Sequence, residues 1–287
     1  MYRGLLIYRE CDAGYNRDYI EYYLKLAPQF QLHLTFICYE RICAAITEEG
    51  HILYDITAKN RISADFAMNR TRDSELARHL EAMGIRVFNS ARVTELGNDK
   101  WKMYRFAKSH TDLPCIPTAL MPAEIPDIEP RLQGREWIFK AVSGHGGSRV
   151  FCYPKESLAS IKKGTAGDRV VLQPRIHGIP RDVRVYVVGG RIAAAILRTG
   201  KKGGWRSNYS LGGKSCVYDL SGEEEQMAGQ LAGILKPDMA GIDFIVGGDG
   251  KWYFNELEDM AGARTLYADT DIDIARLYLE HIKRSLA

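Results

Sequence analysis

Residues 240–262, AGIDFIVGGDGKWYFNELEDMAG, restrict the architecture of this chain more than any other stretch. An apolar run at 241–246, a turn at Gly247-Gly248-Asp249-Gly250 and an aromatic run at 252–257 predict a β-hairpin. Alternation along a strand puts Trp252, Phe254, Glu256 and Glu258 on one face, and Tyr253, Asn255 and Leu257 on the other. Two carboxylates two residues apart are then roughly 6–7 Å apart, at about 3.3 Å of rise per residue. With Asp243 from the partner strand, they can hold a pair of Mg²⁺ ions about 3.5–4 Å apart. The competing reading is a solvated hairpin end carrying Glu256, Glu258 and Asp259, with Asn255 facing water.

The 287 residues suffice for about two domains, and 46% hydrophobic with 26% charged residues is an ordinary globular composition. A net charge of +3 is too small for non-specific nucleic-acid binding. No apolar run approaches the length of a membrane span, and the four apolar residues before Arg9 are too few for a signal peptide. Six scattered cysteines show neither zinc spacing nor a disulfide framework, so thiols in a reducing cytoplasm are expected. A homo-oligomer is allowed by the sequence and not fixed by it.

Strands are predicted at 3–8, 32–38, 52–57, 65–68 and 86–88. Helices fall between them at 17–26 and after an Asp73 cap, the latter closed by Gly84. This alternation is that of a parallel α/β unit occupying residues 1–97, with its strand ends facing a cleft. A helix follows from Asn98-Asp99-Lys100 to Ser109, with Trp101, Tyr104 and Lys108 on one side and Met103, Phe106 and Ala107 on another. A proline-bearing surface connection (Pro122, Pro126, Pro130) comes next, then a hairpin of strands 137–142 and 149–153, a helix at 157–162 and a strand at 169–172. The last third predicts strands 182–188 and 191–198 joined by Gly189-Gly190, and a glycine-rich flap at 201–213. A helix capped by Ser221 and Glu224, with a stripe of Met227, Leu231, Ile234 and Leu235, precedes the acidic hairpin, and an amphipathic helix at 272–286 closes the chain.

Lys140 stands inside the apolar strand WIFKAV, directly before Ser143-Gly144-His145-Gly146-Gly147-Ser148. An interior ammonium calls for an anion, and a glycine turn can bring backbone N–H groups against a phosphate. The alternative is an edge-strand lysine snorkelling beside an ordinary hairpin. His145 lacks metal-spaced companions and reads as a loop residue. Neither a dinucleotide-binding nor a P-loop glycine pattern occurs. Arg184, on one face with Asp182 and Tyr186, joins Arg198 and Arg206 in a basic set suited to phosphates and carboxylates, or else in a solvated sheet face.

Taken in order, Asp99-Lys100, Lys140 before its glycine loop, Gln173-Pro174-Arg175-Ile176, Asp182-Val183-Arg184, Arg206-Ser207-Asn208 with Gly212-Gly213, Asp243, and Glu256-Leu257-Glu258 resemble the ATP-grasp superfamily. The RimK-type glutamate ligases are the nearer likeness and the D-alanine–D-alanine ligases the more distant one, over about residues 85–267. The resemblance implies an α/β N-terminal domain followed by an α+β two-lobed ATP-grasp fold, divided at 1–97, 98–172 and 173–287. It implies ATP with two Mg²⁺ ions, or Mn²⁺ in their place, held between the lobes. Lys100 and Lys140 would meet the phosphates under a loop including Ser143, Gly144, Gly146 and Gly147. Gln173, Pro174, Arg175 and Ile176 would meet adenine. Asp243, Glu256 and Glu258 would bind metal, with Asn255 a rival to Glu258, and Arg184, Arg198 and Asn208 would stabilise the transferred phosphate.

The sequence departs from the family pattern at four places, one of them the atypical loop Ser143-Gly144-His145-Gly146-Gly147-Ser148. Glu258 stands where Asn is common, Lys140-Ala141 replaces Lys-Pro, and Asp259-Met260-Ala261-Gly262-Ala263-Arg264 replaces Ser-Pro-Gly. Arg264 is thereby a candidate clamp for a substrate carboxylate. The implied reaction joins a small-molecule or peptide carboxylate to an amine through an acyl phosphate. An ATP-grasp kinase and a nucleotide-binding module without catalysis are the alternatives, and no nucleic-acid or membrane partner is expected.

Overall fold

The computed structural model describes residues 1–126, 128–147, 149–200, 204 and 213–287. Asn208, Arg206, Ser207, Ser148, Gly212 and nearly all of the expected flap lie outside the described residues.

The N-terminal portion is built on a parallel sheet in the order Leu32–Cys38, Tyr2–Tyr8, Phe66–Arg70, Arg86–Phe88. Helices Arg17–Leu26 and Ser74–Ala82 connect these strands; Asp73 caps the second by accepting from the N–H groups of Glu75 and Leu76. The strand expected at 52–57 runs instead from Gly50 to Asp55 and leaves the parallel unit. It is the centre of a separate antiparallel sheet with Ile42–Thr47 and Asn60–Ile62. A two-residue link between the first two of these strands permits only a hairpin, whereas a parallel crossover needs a dozen residues or more.

A second antiparallel sheet has the order Val150–Tyr153, Trp137–Ala141, Val170–Pro174, Ala119–Met121. The last of these, and a short helix Glu129–Leu132, fall in the passage expected to be plain connection. The third antiparallel sheet, called the third sheet below, is ordered Lys214–Val217, Arg191–Thr199, Arg181–Val188, Met239–Val246, Trp252–Glu258. Alternation along Arg181–Val188 holds: Val183, Val185 and Val187 enter a core with helices Lys100–His110 and Gly222–Leu235, while Tyr186 and Val188 enter another with helix Ile274–Leu286 and the N-terminal sheet. Two helix faces differ from expectation. Tyr104 is buried with Met103, Phe106 and Ala107, and helix Gly222–Leu235 buries Ala228, Leu231 and Ala232 while Ile234 is exposed.

Asn89, 3% exposed, ties the N-terminal portion to the third sheet. Its amide donates to the carbonyls of Met239 (2.7 Å) and Asp259 (3.0 Å), and its oxygen accepts from the N–H groups of Asp238 (2.6 Å) and Met239 (3.1 Å). Among the described residues no helix is long and apolar enough to cross a membrane, and all six cysteines are unpaired.

Candidate active site

The predicted acidic hairpin forms between Met239–Val246 and Trp252–Glu258, but its faces are not those of simple alternation. Asp243 pairs with Glu256 and Phe244 with Phe254, so Asn255 is an extra, bulged residue. The bulge reverses the side-chain phase. Trp252, Phe254 and Leu257 all join one core, while Asn255, Glu256 and Glu258 line a cavity on the opposite side. Glu256 and Glu258 therefore share a face with each other and with Asn255, not with Trp252 and Phe254.

That cavity, about 580 Å³, gathers most of the expected site residues. Lys100, Lys140, Gly144, Gly146, Gly147, Gln173, Pro174, Arg175, Ile176, Arg184, Arg198, Asp243, Glu256, Glu258 and Arg264 all line it. Ser143 does not; its N–H and hydroxyl both donate to the Asp168 carboxylate, the former at 3.0 Å, so it anchors the root of the glycine turn. Gly146 and Gly147 have φ of 60° and 73°, a backbone region that side chains with a Cβ enter only with strain.

Lys140 points inward from strand Trp137–Ala141, 7% exposed. Its ammonium donates to Asn255 Oδ1 at 2.7 Å and to the Tyr104 hydroxyl at 3.4 Å. Burial lowers its pKa to about 8, against the opposing pull of Glu256. The snorkelling alternative is excluded by that burial. Lys100, near the start of helix Lys100–His110, donates to the Gly144 carbonyl and lies 3.8 Å from Glu256 Oε2. Burial lowers its pKa too, with Glu256 opposing. His145 is pushed down to about 4, first by burial and then by Arg72 and Lys100, and so stays neutral near pH 7.

Arg184 and Arg198 are not on a solvated face. Arg184 donates from Nε and one terminal nitrogen to the two Asp243 oxygens, both at 2.8 Å, and also pairs with Glu258. Arg198 pairs with Asp182 and reaches Asp243 Oδ2 at 2.7 Å. Asp243 is 1% exposed; burial alone would raise its pKa, but the two guanidiniums hold it down at about 2. Glu258 is raised by desolvation despite Arg184, with Asp243 and Glu256 adding to the rise. Gly241 permits this packing, because a Cβ there would stand 3.1 Å from Arg184 Cδ.

Among the described residues no group of three His, Cys, Asp or Glu is gathered as a ready metal cage, and Asp243 is engaged by arginines. The donor set of Asp243, Asn255, Glu256 and Glu258 nevertheless fits Mg²⁺. It is oxygen only, of the hard type that ion prefers, and it lies beside the two lysines at the cavity wall.

Gln173 is buried and donates from Nε2 to Thr118 Oγ1 at 2.8 Å; Arg175 pairs with Glu136 and donates to the Gly204 carbonyl at 3.2 Å. Arg264 lies over the Tyr15 ring at 3.9 Å, joining the C-terminal segment to an N-terminal helix at the cavity wall. Sequence reasoning missed the residues that the N-terminal portion contributes, notably Tyr8, Tyr19, Arg70 and Arg72. The signal available was their position: Tyr8 and Arg70 end adjacent parallel strands, where α/β folds bind ligands.

Comparison with solved structures gives the class first. The fold matches, over 99% of this chain and 98% of the other, D-alanyl-alanine synthetase A from Vibrio cholerae, with a TM-score of 0.72 and 15% identity. It likewise matches the ATP-grasp ligase PsnB complexed with a phosphomimetic variant of minimal precursor, Mg and ADP, at a TM-score of 0.70 and 15% identity over 99% and 98% of the two chains. This is the ATP-grasp fold. Residues 97–282 match the RimK-like ATP-grasp domain, and the chain belongs to that family. Similar sequences include a probable alpha-L-glutamate ligase of Shewanella pealeana, 27% identical over 74% of this chain and 47% of that protein. Beta-citrylglutamate synthase B of Mus musculus is 29% identical over 73% of this chain and 56% of that protein. The chain thus spans about half the length of these relatives.

Proposed function

We propose that the protein is an ATP-dependent carboxylate–amine ligase acting on small-molecule or peptide substrates in the cytoplasm, with three units divided near residues 97 and 172. The observation that carries this reading is the convergence of Lys140 and Lys100 on Asn255 and Glu256 at the wall of one cavity that a glycine turn also lines. A polyphosphate with its metal ions needs cationic side chains and metal-binding oxygens close together, and both are present.

In this reading Lys100, Lys140 and the turn at Gly144, Gly146 and Gly147 hold the ATP phosphates, and Gln173 to Ile176 border the adenine. Asp243, Glu256 and Glu258, with Asn255 beside them, would hold two Mg²⁺ ions, which neutralise phosphate charge when bound. Occupation by metal requires Asp243 and Glu258 to share their oxygens between the ion and Arg184. The arginines Arg184 and Arg198 then face the transferred phosphoryl group, and Asn208 is assigned the same task. A substrate carboxylate oxygen attacks the γ-phosphorus and ADP leaves. The amine nitrogen attacks the resulting acyl carbon, phosphate departs, a proton is lost and an amide remains. Alignment and charge neutralisation suffice, without a covalent enzyme nucleophile.

The test is ADP release with a panel of acids and amines that includes L-glutamate, since relatives bear the name alpha-L-glutamate ligase. Release that depends on both components, with a product mass equal to their sum less one water, is expected. A stable phosphorylated product with no amine requirement would make the protein a kinase instead.

A further inference from the structure

Tyr8 and Arg70 are register partners, each the last residue of its parallel strand, and both line the cavity from the N-terminal side. They are 1% and 5% exposed, yet the Tyr8 hydroxyl and Arg70 Nε have no hydrogen-bond partner among the described residues. Arg70 is surrounded by the phenols of Tyr8, Tyr19, Tyr23 and Tyr278 and makes no ion pair among the described residues. Its neighbours are otherwise committed. Arg72 is paired with Asp12 at 3.0 Å, and Arg264 is stacked on Tyr15. Asp259 feels Arg70, and burial holds its carboxyl up at about 6, so it is mostly ionised near pH 7; it nevertheless makes no direct ion pair with the guanidinium, its side-chain oxygen Oδ1 accepting from Asn98 at 3.0 Å. A buried, unpaired cation beside an unpaired hydroxyl is too costly to be incidental at a cavity wall.

We infer that Arg70 and Tyr8 form a built site for a substrate carboxylate that stays intact through the reaction. A single guanidinium without a direct ion pair, presenting a planar donor fork, suits a monoanionic carboxylate better than a dianionic phosphate. The carboxyl that reacts is not the one held here, because a carboxylate bound by guanidinium has its lone pairs engaged and is a poor nucleophile. Arg184 and Arg198 already attend the acid cluster. Under the ligase reading, on which this inference rests, one substrate carries an anchoring carboxylate besides the group that reacts. It is either a dicarboxylic acid or an amine with its own free carboxylate.

The experiment uses the full chain with ¹⁵N-labelled arginine and follows the Nε–H resonance of Arg70, assigned by its loss in Arg70→Lys. Succinate, glutarate, L-glutamate and L-alanine are titrated in turn, with glutaramide and inorganic phosphate as comparisons. At least one carboxylate should move the resonance saturably while glutaramide and phosphate leave it in place. Tyr8→Phe, which removes only the hydroxyl and gives a second assignment route should Arg70→Lys not fold, should weaken that binding about 3- to 10-fold. The inference fails if no carboxylate moves the resonance, or if phosphate or glutaramide moves it equally. These titrations need no turnover, so a protein that binds carboxylates at Arg70 but never forms an amide would sink the ligase reading and leave the site standing.

Discussion

The ammonium of Lys140 donates to the side-chain oxygen of Asn255 at 2.7 Å, joining the second sheet to the bulge of the third at the cavity wall. Two groups from strands more than a hundred residues apart are thus prearranged where a phosphate chain would lie.

Because burial lowers Lys140 to about 8, its charge is lost above that pH in the free protein. The affinity for MgADP should fall by up to about tenfold per pH unit from about 8 upward, levelling where the unliganded and liganded forms titrate alike. The stability linkage has the other sign. The unfolded chain keeps the proton up to the ordinary lysine value of 10.5, so this group's contribution to stability rises between about 8 and 10.5. Asn255→Asp places a carboxylate beside the ammonium and should move the binding midpoint to higher pH. Calorimetric titration of both proteins from pH 7 to 10 checks this; an unmoved midpoint counts against the assignment.

Asp243→Ala strands two buried guanidiniums, Arg184 and Arg198, with their main counter-charge removed. A loss of about 3–5 kcal/mol in urea unfolding is expected. Glu256→Gln should cost less than about 1 kcal/mol, since Glu256 is over a third exposed and lies 3.8 Å from Lys100. It should instead raise the Mg²⁺ concentration needed for ADP release by about 10-fold or more.

Gly241→Ala tests the packing of Arg184 on the third sheet. The new Cβ stands 3.1 Å from Arg184 Cδ and 3.2 Å from both Arg184 Nε and Ala261 Cβ. The guanidinium must give way, so ADP release should drop severalfold while stability changes by about 1–3 kcal/mol at most. Activity equal to the parent protein would mean that the position of Arg184 is not critical.

Much of the fold was legible because local chemistry and final structure agree. The Asp73 cap, the Ser221–Glu224 capping box and the Gly189-Gly190 turn all form where their residues predict. Lys140 was legible because a charged residue in WIFKAV has no local explanation. The bulge at Asn255 was not, because it depends on which partner residues the neighbouring strand offers, and a one-residue insertion inverts every side chain beyond it. Arg70 and Tyr8 were missed for a similar reason. Each ends an ordinary strand, and only their parallel pairing puts an unpartnered guanidinium next to an unpartnered phenol.

The four hydrogen bonds that Asn89 makes with the backbone at Asp238, Met239 and Asp259 bear on how this molecule can breathe. Buried and mutually reinforcing, they resist separation of the N-terminal parallel sheet from the sheet that carries the acidic hairpin. Any opening that admits a nucleotide is then expected to displace the four strands around Lys140 rather than this joint.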